Sequence, residues 1–484
     1  MNLQSKRVDL SELSWLAMET RDRPMHVATL LVFSLPKDAA PDYLNTLVAS
    51  LRDSTEVVAP FNQIYAPPRM FSPMPSWVRT YDPDLEYHVR HLALPSPGGE
   101  RELGMLIARL HSNKLDFKRP LWEYHLIEGL EGGRFAIYFK MHHSLVDGVA
   151  GVRMLQRSLS KSVEEQRFTP LWSGPVPREI IDANHSKQRL RRALSGARRS
   201  LISFNHVRRE LTSAVRAGLR AHDPLVMPFQ ANKTIFNGRI GSQRRFATQQ
   251  YDLARLKRLA KAAGCTLNDI VLAISAGALR QFLKDQNALP GQPLIAGIPV
   301  SLRPADDQTA GSAVSYIMAN LATHVADPVR RLEVICASTR RAKEVMKRMS
   351  RDEIENFTAL TLAPALIASM LNVDGYSRPA FNVNISNVPG PSERLYMRGS
   401  RLEAMYPVSG VTHGQALNIT CYSYAGTFGF GFAGCRDSVP SLQRLAVSAG
   451  KALEELEATF LPEQKAPPSG DGSKSERPNV RVVA

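Results

Sequence analysis

The sequence predicts an α/β (α+β) protein of two domains joined by a basic helical connector. The chain has 484 residues, enough for roughly two to three domains. Strand-like and helix-like apolar patterns alternate on both sides of an arginine-rich middle segment. Apolar residues make up 44% of the chain, which excludes wholesale disorder. We expect a first domain over 1–180, a connector over 181–231, a second domain over 232–462 and a disordered tail over 463–484.

The first domain begins with a buried strand over 25–33, where the run is almost continuously apolar. Prolines then punctuate the chain before a helix over 100–110. A second apolar strand is expected over 135–141, and a helix with regularly spaced valines and leucines over 147–159. Proline-rich sequence after this helix marks the end of the domain.

A large share of the excess charge lies within the connector, at 185–222. The chain has a formal net charge of +16. Ten Lys and Arg residues and one Glu lie within 185–222, where apolar residues recur near helical spacing. This pattern indicates one or two amphipathic basic helices. Because the excess needs an acidic partner, we expect an anionic membrane, an anionic substrate or nucleic acid. Within 185–222 the single Phe, Tyr or Trp residue is Phe204, which argues against nucleic acid because stacking platforms are missing.

The second domain repeats the mixture of strands and helices. A Thr-Leu-Asn-Asp sequence at 266–269 is typical of a helix start. The other expected elements are strands over 294–300 and 381–385, further strands within 417–433, and a closing helix over 438–458. The apolar run 357–373 is too short and too polar to cross a bilayer, so we expect a buried or interfacial helix.

Neither a secretory signal nor a disulfide framework is evident. The first residues lack an apolar core, and four cysteines are too few for a stapled scaffold. We therefore expect a cytoplasmic protein. No nucleophile elbow (G-x-S-x-G) or P-loop occurs. Residues 429–434 do match G-x-G-x-x-G, but they lie in an alternating aromatic strand without a following βαβ unit, so we reject a dinucleotide site.

One motif remains after these exclusions. Residues 142–148 read His-His-Ser-Leu-Val-Asp-Gly and follow directly on an expected strand. A strand that ends in a loop holds a side chain rigidly at a cleft, and neutral imidazole is a natural base near pH 7. Base catalysis is the favoured interpretation. A metal site is weaker because adjacent His side chains diverge and no further ligand follows at short spacing, and a purely structural pair stays possible in principle.

This motif resembles the active-site signature of the bacterial wax ester synthase/acyl-CoA:diacylglycerol acyltransferase family. Several other stretches agree with the family in order: Pro24-Met25-His26-Val27, Pro120-Leu121-Trp122-Glu123, Asn268-Asp269, Ile298 to Arg303, and Ser386-Asn387-Val388-Pro389-Gly390-Pro391. The resemblance covers about residues 1–461. It implies a two-domain, chloramphenicol acetyltransferase-like, CoA-dependent acyltransferase fold, with a tunnel between the domains.

The resemblance also implies a mechanism. His143 would be the general base that deprotonates an alcohol as it attacks an acyl-CoA thioester, with no covalent acyl-enzyme and no cofactor or metal. His142 would orient the loop or line the site, and a packed structural histidine is an equally supported alternative. Asp147 would be structural and would pair with Arg303, although a solvated Arg303 is equally compatible with the sequence. Gly148 completes the motif.

The remaining family positions have two interpretations each. Asn268 could bind substrate or stabilise an oxyanion, or it could belong with Asp269 to a helix cap. Met405 and the run 357–373 could line a lipid tunnel or form ordinary core. Turn and packing roles are favoured for Pro120, Leu121, Trp122, Asn387, Pro389 and Gly390.

The expected partners are acyl-CoA, a long-chain fatty alcohol or diacylglycerol, and the surface of the inner membrane or of lipid inclusions, where the protein would bind peripherally. Oligomeric state is not predicted. Two alternatives stay open: an acyltransferase of the same fold with a polyketide or amine acceptor, and a non-catalytic lipid-surface protein.

Overall fold

The computed structural model describes residues 5–54, 56–70, 73–146, 148–166, 168–174, 224–301 and 314–461. Four sequence predictions lie outside these residues: Asp147, Arg303, the connector from 181 to 223, and the tail over 463–484.

In the described residues, fifteen strands form two large sheets and one small one. The first large sheet has the spatial order β12-β13-β2-β7-β6-β5, and the second has the order β10-β9-β11-β14-β15-β8. The strands are β1 Ser5–Arg7, β2 His26–Ser34, β3 Gln63–Ala66, β4 Ser76–Arg79, β5 Val89–Ala93, β6 Trp122–Leu130, β7 Arg134–His142, β8 Arg244–Asp252, β9 Ile295–Ser301, β10 Val314–Asn320, β11 Val383–Val388, β12 Tyr396–Met397, β13 Ser400–Val408, β14 Leu417–Tyr424 and β15 Thr427–Cys435.

Pairing is mostly antiparallel within these sheets. The exceptions in the described residues are β5 with β6, and β11 with both β9 and β14. Both central strands of the first sheet are buried nearly throughout, which explains why β2 and β7 read as continuous apolar runs. The small sheet has the order β1-β4-β3.

Helices cover the sheets. They are α1 Leu10–Met18, α2 Tyr43–Arg52, α3 Leu85–His88, α4 Glu100–Ser112, α5 Gly148–Ser158, α6 Leu253–Ala262, α7 Leu267–Asp285, α8 Pro328–Lys347, α9 Arg351–Met370 and α10 Leu442–Phe460, with a 3-10 turn at Ile235–Asn237. α7 is the most deeply buried, and a Cβ on its Gly277 would lie 2.8 Å from the Cβ of Ala452 in α10. Close approach of these two helices therefore requires glycine at 277.

Part of the second half of the chain belongs to the first sheet. β13 pairs antiparallel with β2, from Arg401 opposite Ser34 to Val408 opposite Ala28. Residues 396–408 fall within the second domain predicted from the sequence, but they belong to the first sheet. As a division into folding units it stays a prediction.

The glycines of the G-x-G-x-x-G match have a packing role. A Cβ on Gly431 would lie 2.0 Å from the Pro407 carbonyl oxygen, and one on Gly429 would lie 2.8 Å from that of Met405. Both carbonyls belong to β13, so glycine lets β15 of one sheet touch β13 of the other. Phe428, Phe430 and Phe432, which alternate with these glycines, are fully buried. The strand interpretation of this segment is confirmed.

Other expected elements are found close to their predicted bounds. The strands expected over 25–33 and 135–141 are β2 and β7, and the helices over 100–110 and 147–159 correspond to α4 and α5. The run 357–373 forms most of α9 and the turn after it. No single helix among the described residues has the length and apolar composition of a bilayer span; only α6 and α7 together pass that test, and they are bent by 97° relative to each other.

Candidate active site

The His-His motif lies where β7 ends in the middle of the first sheet. His142 pairs with His26 of β2, and the His142 N–H donates to the Leu121 carbonyl at 2.9 Å. The His143 N–H donates to the Met25 carbonyl at 2.9 Å, and the Leu145 N–H donates back to the His142 carbonyl. The loop is thus bonded to the strands on either side, which fixes the direction of both imidazoles.

His142 points away from the solvent and is 1% exposed. Its Nδ1 accepts a hydrogen bond from the Ser144 N–H at 3.2 Å and lies 2.7 Å from Ser144 Oγ. Because Nδ1 is an acceptor, the ring proton is assigned to Nε2. That nitrogen lies 3.7 Å from the Glu19 carboxylate, which also accepts from the Met25 N–H and pairs with Lys114 at 3.4 Å. His142 therefore belongs to the internal support of the loop.

His143 faces a cavity and is only partly buried. Its imidazole stacks on the indole of Trp15 in α1, with ring centroids 4.0 Å apart and an interplanar angle of 16°. The two adjacent histidines thus point into different surroundings, as expected for neighbours on a strand end. A shared metal between them would require the rings to converge.

The cavity has a volume of about 750 Å³ and lies between the two large sheets. β2, β7 and β13 of the first sheet supply one wall, and β11 and β14 of the second sheet supply the opposite wall. Most of the lining is apolar, including Met405 and Val408, as is usual for pockets that hold lipid-like molecules. A cavity of this size and character can take an extended acyl or alkyl chain beside the imidazole.

A few polar groups interrupt the apolar lining. The side-chain oxygens of Thr29, Asn384 and Asn387 are buried and have no hydrogen-bond partner among the described residues. Asn418 and Thr420 also line the cavity, but they bond to each other at 2.8 Å. Unpaired buried oxygens cost free energy unless a ligand or water donates to them. They are the polar positions at which a substrate could be oriented.

A buried ionic cluster stabilises β7 just before the motif. The Lys140 ammonium lies 2.8 Å from the Glu123 carboxylate of β6 and donates to the carbonyls of Leu110 and Asn113. His125 lies 3.0 Å from the same carboxylate. Burial alone would raise the pKa of Glu123, but the hydrogen bond from His125 and the charge of Lys140 outweigh it and lower that pKa to about 2.

Two further histidines lie beneath the site and are held neutral. Burial lowers the pKa of His26 well below its usual value and lowers that of His111 to about 3. His111 lies 2.8 Å from the Tyr138 hydroxyl, and His26 lies 2.9 Å from the His111 carbonyl. Both support the strands around His143, and His26 also lines the cavity, as a neutral group.

The structure brings several predicted residues to the cavity. His143, Gly148, Asn387, Pro389 and Met405 all line it. A Cβ on Gly390 would lie 2.2 Å from the Ser423 carbonyl oxygen, so this glycine allows a close approach of two chain segments. The catalytic or binding roles of these residues stay predictions.

Other predicted residues lie behind the cavity or away from it. Leu121 and Trp122 are fully buried; Trp122 donates from Nε1 to the Phe61 carbonyl and stacks on His88. With Pro120 they support the end of β7. Asp269 accepts from Thr266 and Thr339, which is a helix cap with one tertiary bond. Asn268 is half-buried and is not among the cavity-lining residues.

Four residues of the site were not predicted from the sequence: Trp15, Glu19, Thr29 and Asn384. Trp15 is one of four tryptophans, and Glu19 directly precedes the segment 20–29 that leads into the cavity wall. The rarity of tryptophan and the position of Glu19 beside this segment are signals that could have identified the two residues. Their contacts with His143 and His142 arise only from tertiary folding, so no local pattern predicts them.

Known proteins resemble this chain over nearly its whole length. A family model described as the wax ester synthase/diacylglycerol acyltransferase catalytic domain matches residues 10–271, and one described as the WS/DGAT C-terminal domain matches 310–457. An O-acyltransferase WSD of Acinetobacter baylyi is 40% identical over 93% of this chain and 96% of its own length. A Mycobacterium tuberculosis protein whose name proposes diacylglycerol O-acyltransferase activity is 45% identical over 95% of this chain and 98% of its own.

Solved structures agree. A wax ester synthase/diacylglycerol acyltransferase from Marinobacter aquaeolei VT8 has a TM-score of 0.76 and 38% identity, and the match covers 94% of this chain and 99% of the other. The first condensation domain of the calcium-dependent antibiotic synthetase has a TM-score of 0.60 at 17% identity, covering 95% and 96% of the two chains, which shows the shared fold alone.

Proposed function

Because this chain belongs to the wax ester synthase/diacylglycerol acyltransferase family, we propose that it moves a long-chain acyl group from acyl-CoA to a fatty alcohol or to diacylglycerol, with His143 as the general base. Family membership confirms two sequence predictions: the enzyme is an O-acyltransferase, and its fold is that of two-domain CoA-dependent acyltransferases. The catalytic mechanism goes beyond that membership.

One observation supports the mechanism above all. His143 is the histidine that faces the 750 Å³ cavity, and its neighbour His142 is turned into the protein and bonded there. A base must lie within hydrogen-bond reach of the proton it removes. Of the two histidines in the motif, only His143 is placed to reach an alcohol in this cavity.

In the proposed reaction, both substrates bind in the cavity at once. His143 removes the hydroxyl proton as the alcohol oxygen attacks the thioester carbonyl, which gives a tetrahedral oxyanion. The C–S bond then breaks, the ester is released, and protonated His143 returns the proton to the CoA thiolate. Base catalysis contributes roughly 10²–10⁴-fold, and positioning of the two substrates supplies much of the rest.

The acceptor is the least determined part of this proposal. Purified protein is incubated with a panel of acyl-CoAs and with hexadecanol, diacylglycerol or hexadecylamine, while a thiol reagent measures CoA release and mass spectrometry identifies the product. We expect release with both hydroxyl acceptors. Transfer to the amine alone would favour an amide-forming enzyme, and no release with any acceptor would favour a non-catalytic lipid-surface protein.

Asp147 and Arg303 have a proposed structural role. By family resemblance they would pair and hold the His loop. The substitution Asp147→Asn removes the charge at nearly constant volume, so it should lower both stability and activity. A variant with wild-type values of both would show that the pair is unimportant.

The protein is also proposed to work at a lipid surface. Its acceptors are poorly soluble in water, and the connector holds ten basic residues and one acid within 185–222, which suits anionic lipid headgroups. Replacing the connector's arginines with glutamine should weaken binding to anionic vesicles. Unchanged binding would assign that charge to another role.

A further inference from the structure

α9 and the turn after it expose an unusual number of large apolar side chains. Twelve such side chains are exposed in the described residues, and seven of them lie between 360 and 376. We call these seven the α9 apolar face: Leu360, Leu366, Ile367, Met370, Leu371, Val373 and Tyr376, with exposed fractions from 41% to 71%. Single exposed apolar residues are ordinary, but a contiguous group marks an interaction surface.

The helical part of this face occupies one side of α9. At about 100° per residue, positions 360, 366, 367, 370 and 371 fall within a sector of roughly 140°. The opposite side holds the hydroxyls that bond to the rest of the protein. Thr358 lies 2.5 Å from Ser315 of β10, and Ser369 accepts from the Arg23 guanidinium at 2.8 Å. A helix that turns polar groups inward and large apolar groups outward is suited to an apolar surrounding.

The charges around the face point to a lipid headgroup layer. No Asp, Glu, Lys or Arg occurs from 356 to 373. At the carboxyl end, Arg239 lies over the Tyr376 ring at 5.1 Å and donates to the Asn372 carbonyl. Arg378, two residues after Tyr376, is exposed. The nearby acid, Asp374, is paired with Arg23 at 3.0 Å. The helix carries its own acids in its first turns, at the far end from these cations.

α9 is bonded directly to elements that line the cavity. Arg23 donates to Ser369 and Asp374, and the next six residues, 24–29, all line the cavity. The Thr358–Ser315 contact joins α9 to β10, where Tyr316 is a cavity residue. Contact of this face with lipid would therefore place the cavity wall close to the source of an apolar acceptor.

We propose that the α9 apolar face is the surface by which this protein sits on a lipid layer. The inference rests on the proposed work at a lipid surface and names the structural element responsible. Inserted side chains at 360–376 hold the protein through the hydrophobic effect, and Arg239 and Arg378 lie at the headgroups.

The test compares two matched variants on vesicles of phosphatidylcholine and phosphatidylglycerol. Leu366→Glu/Ile367→Glu places charges in the face, and Met105→Glu places one at a 48% exposed apolar site on α4. In flotation the double variant should bind at least about tenfold more weakly, because two large apolar groups no longer enter the lipid and two charges must stay outside it. The α4 control should bind like the wild type.

Activity separates this inference from the broader proposal. The double variant should keep wild-type CoA release with the water-soluble acceptor butanol and lose activity on vesicle-borne hexadecanol. Wild-type protein that does not bind the vesicles would overturn both the proposed work at a lipid surface and the assignment of that surface to α9. A double variant that binds as well as the wild type would overturn only the assignment to α9, and a change of oligomeric state with unchanged vesicle binding would make the face a contact between copies.

An independent observation concerns Trp15. Its indole stacks on His143, and the helix that carries it is held at both ends: Trp77 donates to the Glu12 carboxylate at 2.8 Å, and Arg23 donates to the Met18 carbonyl at 2.6 Å. We infer that Trp15 is a positioning residue, which limits rotation of the His143 ring so that its edge stays directed at the cavity.

Kinetics of Trp15→Leu and Trp15→Phe test this role. The leucine variant should lose about tenfold or more in kcat with little change in KM for acyl-CoA, because a misdirected base slows the chemical step. Phenylalanine keeps a stacking ring and should restore most of the loss. A folded leucine variant with wild-type kcat, or one that changes only KM, would overturn the inference, as would a folded phenylalanine variant as slow as leucine.

Discussion

The strands β7 and β11 both border the cavity, but they differ in whether their buried polar side chains have protein partners. On β7, Lys140 and His142 are buried and bonded to protein partners. On β11, the side-chain oxygens of Asn384 and Asn387 are equally buried but find no partner among the described residues. β7 thus holds these polar groups for support, and β11 leaves these oxygens available to a ligand. Substitutions on the two strands should therefore affect different properties.

The largest effect is expected from Lys140→Met, which breaks the support of β7. It leaves the Glu123 carboxylate buried beside His125 without its closest cation, and a buried charge that loses its partner costs about 3–5 kcal/mol. The free energy of unfolding in urea measures the loss. Lys161→Met is the control, since its pair with Glu393 is well exposed and should be worth less than about 1 kcal/mol. Equal losses of unfolding free energy in the two variants would contradict a special supporting role for the buried Lys140.

Low pH should weaken the packing that supports the end of β7, because His88 stacks on Trp122 there. Burial lowers the pKa of His88 from 6.5 to about 4. The group is neutral in the fold, and its contribution to stability is full above pH 6.5 and lost as pH falls toward 4. The slope is about 1.4 kcal/mol per pH unit for one group. His88→Gln cannot gain this charge, so its unfolding free energy should fall less steeply in that window. Parallel curves for the variant and the wild type would refute the assignment.

Substitution on β11 should change recognition and leave the fold intact. In Asn387→Leu, the side-chain oxygen loses no partner among the described residues, so the free energy of unfolding should stay within about 0.5 kcal/mol of the wild type. The value of kcat/KM should fall by roughly tenfold if a substrate donates to this oxygen, since one such hydrogen bond is worth about 1 kcal/mol or slightly more. A large loss of stability would place Asn387 with the support of β7.

The smallest effect is expected at the start of α7. Asp269→Asn weakens the cap formed with Thr266, at a cost of about 1 kcal/mol. Because Asp269 is not among the residues that line the cavity, kcat/KM should be unchanged once the protein is folded. A selective loss of activity would instead support a substrate role for the Asn268-Asp269 pair.

Hydrophobic periodicity predicted the individual strands and helices, and the family resemblance predicted the role of the His-His motif. The strands β2 and β7 could be found because both are mostly apolar, and the motif begins at the end of β7. The entry of β13 into the first sheet could not be found, since pairing of Arg401 with Ser34 joins residues far apart in sequence and leaves no local pattern. Gly429 and Gly431 show the reverse case: their spacing imitates a nucleotide motif, and only the approach of β15 to β13 explains it.

Some residues of the candidate site could also be predicted from local sequence, and others could be found only in the folded structure. His143 followed from its motif, but Trp15 and Glu19 gain their contacts only when α1 packs against the end of β7. The apolar run 357–373 suggested a buried or interfacial helix, and the outward direction of its side chains required the structure. Local sequence thus predicts which group reacts, and tertiary packing decides what holds and surrounds it.

The central claim is that His143 acts as the base and His142 supports it. The direct measurement is CoA release by His143→Ala with hexadecanol and a long-chain acyl-CoA, with circular dichroism and thermal unfolding to establish that the variant is folded. The account predicts a loss of roughly 10²–10⁴-fold in kcat with the fold retained. A folded His143→Ala protein that turns over at a substantial fraction of the wild-type rate would contradict it.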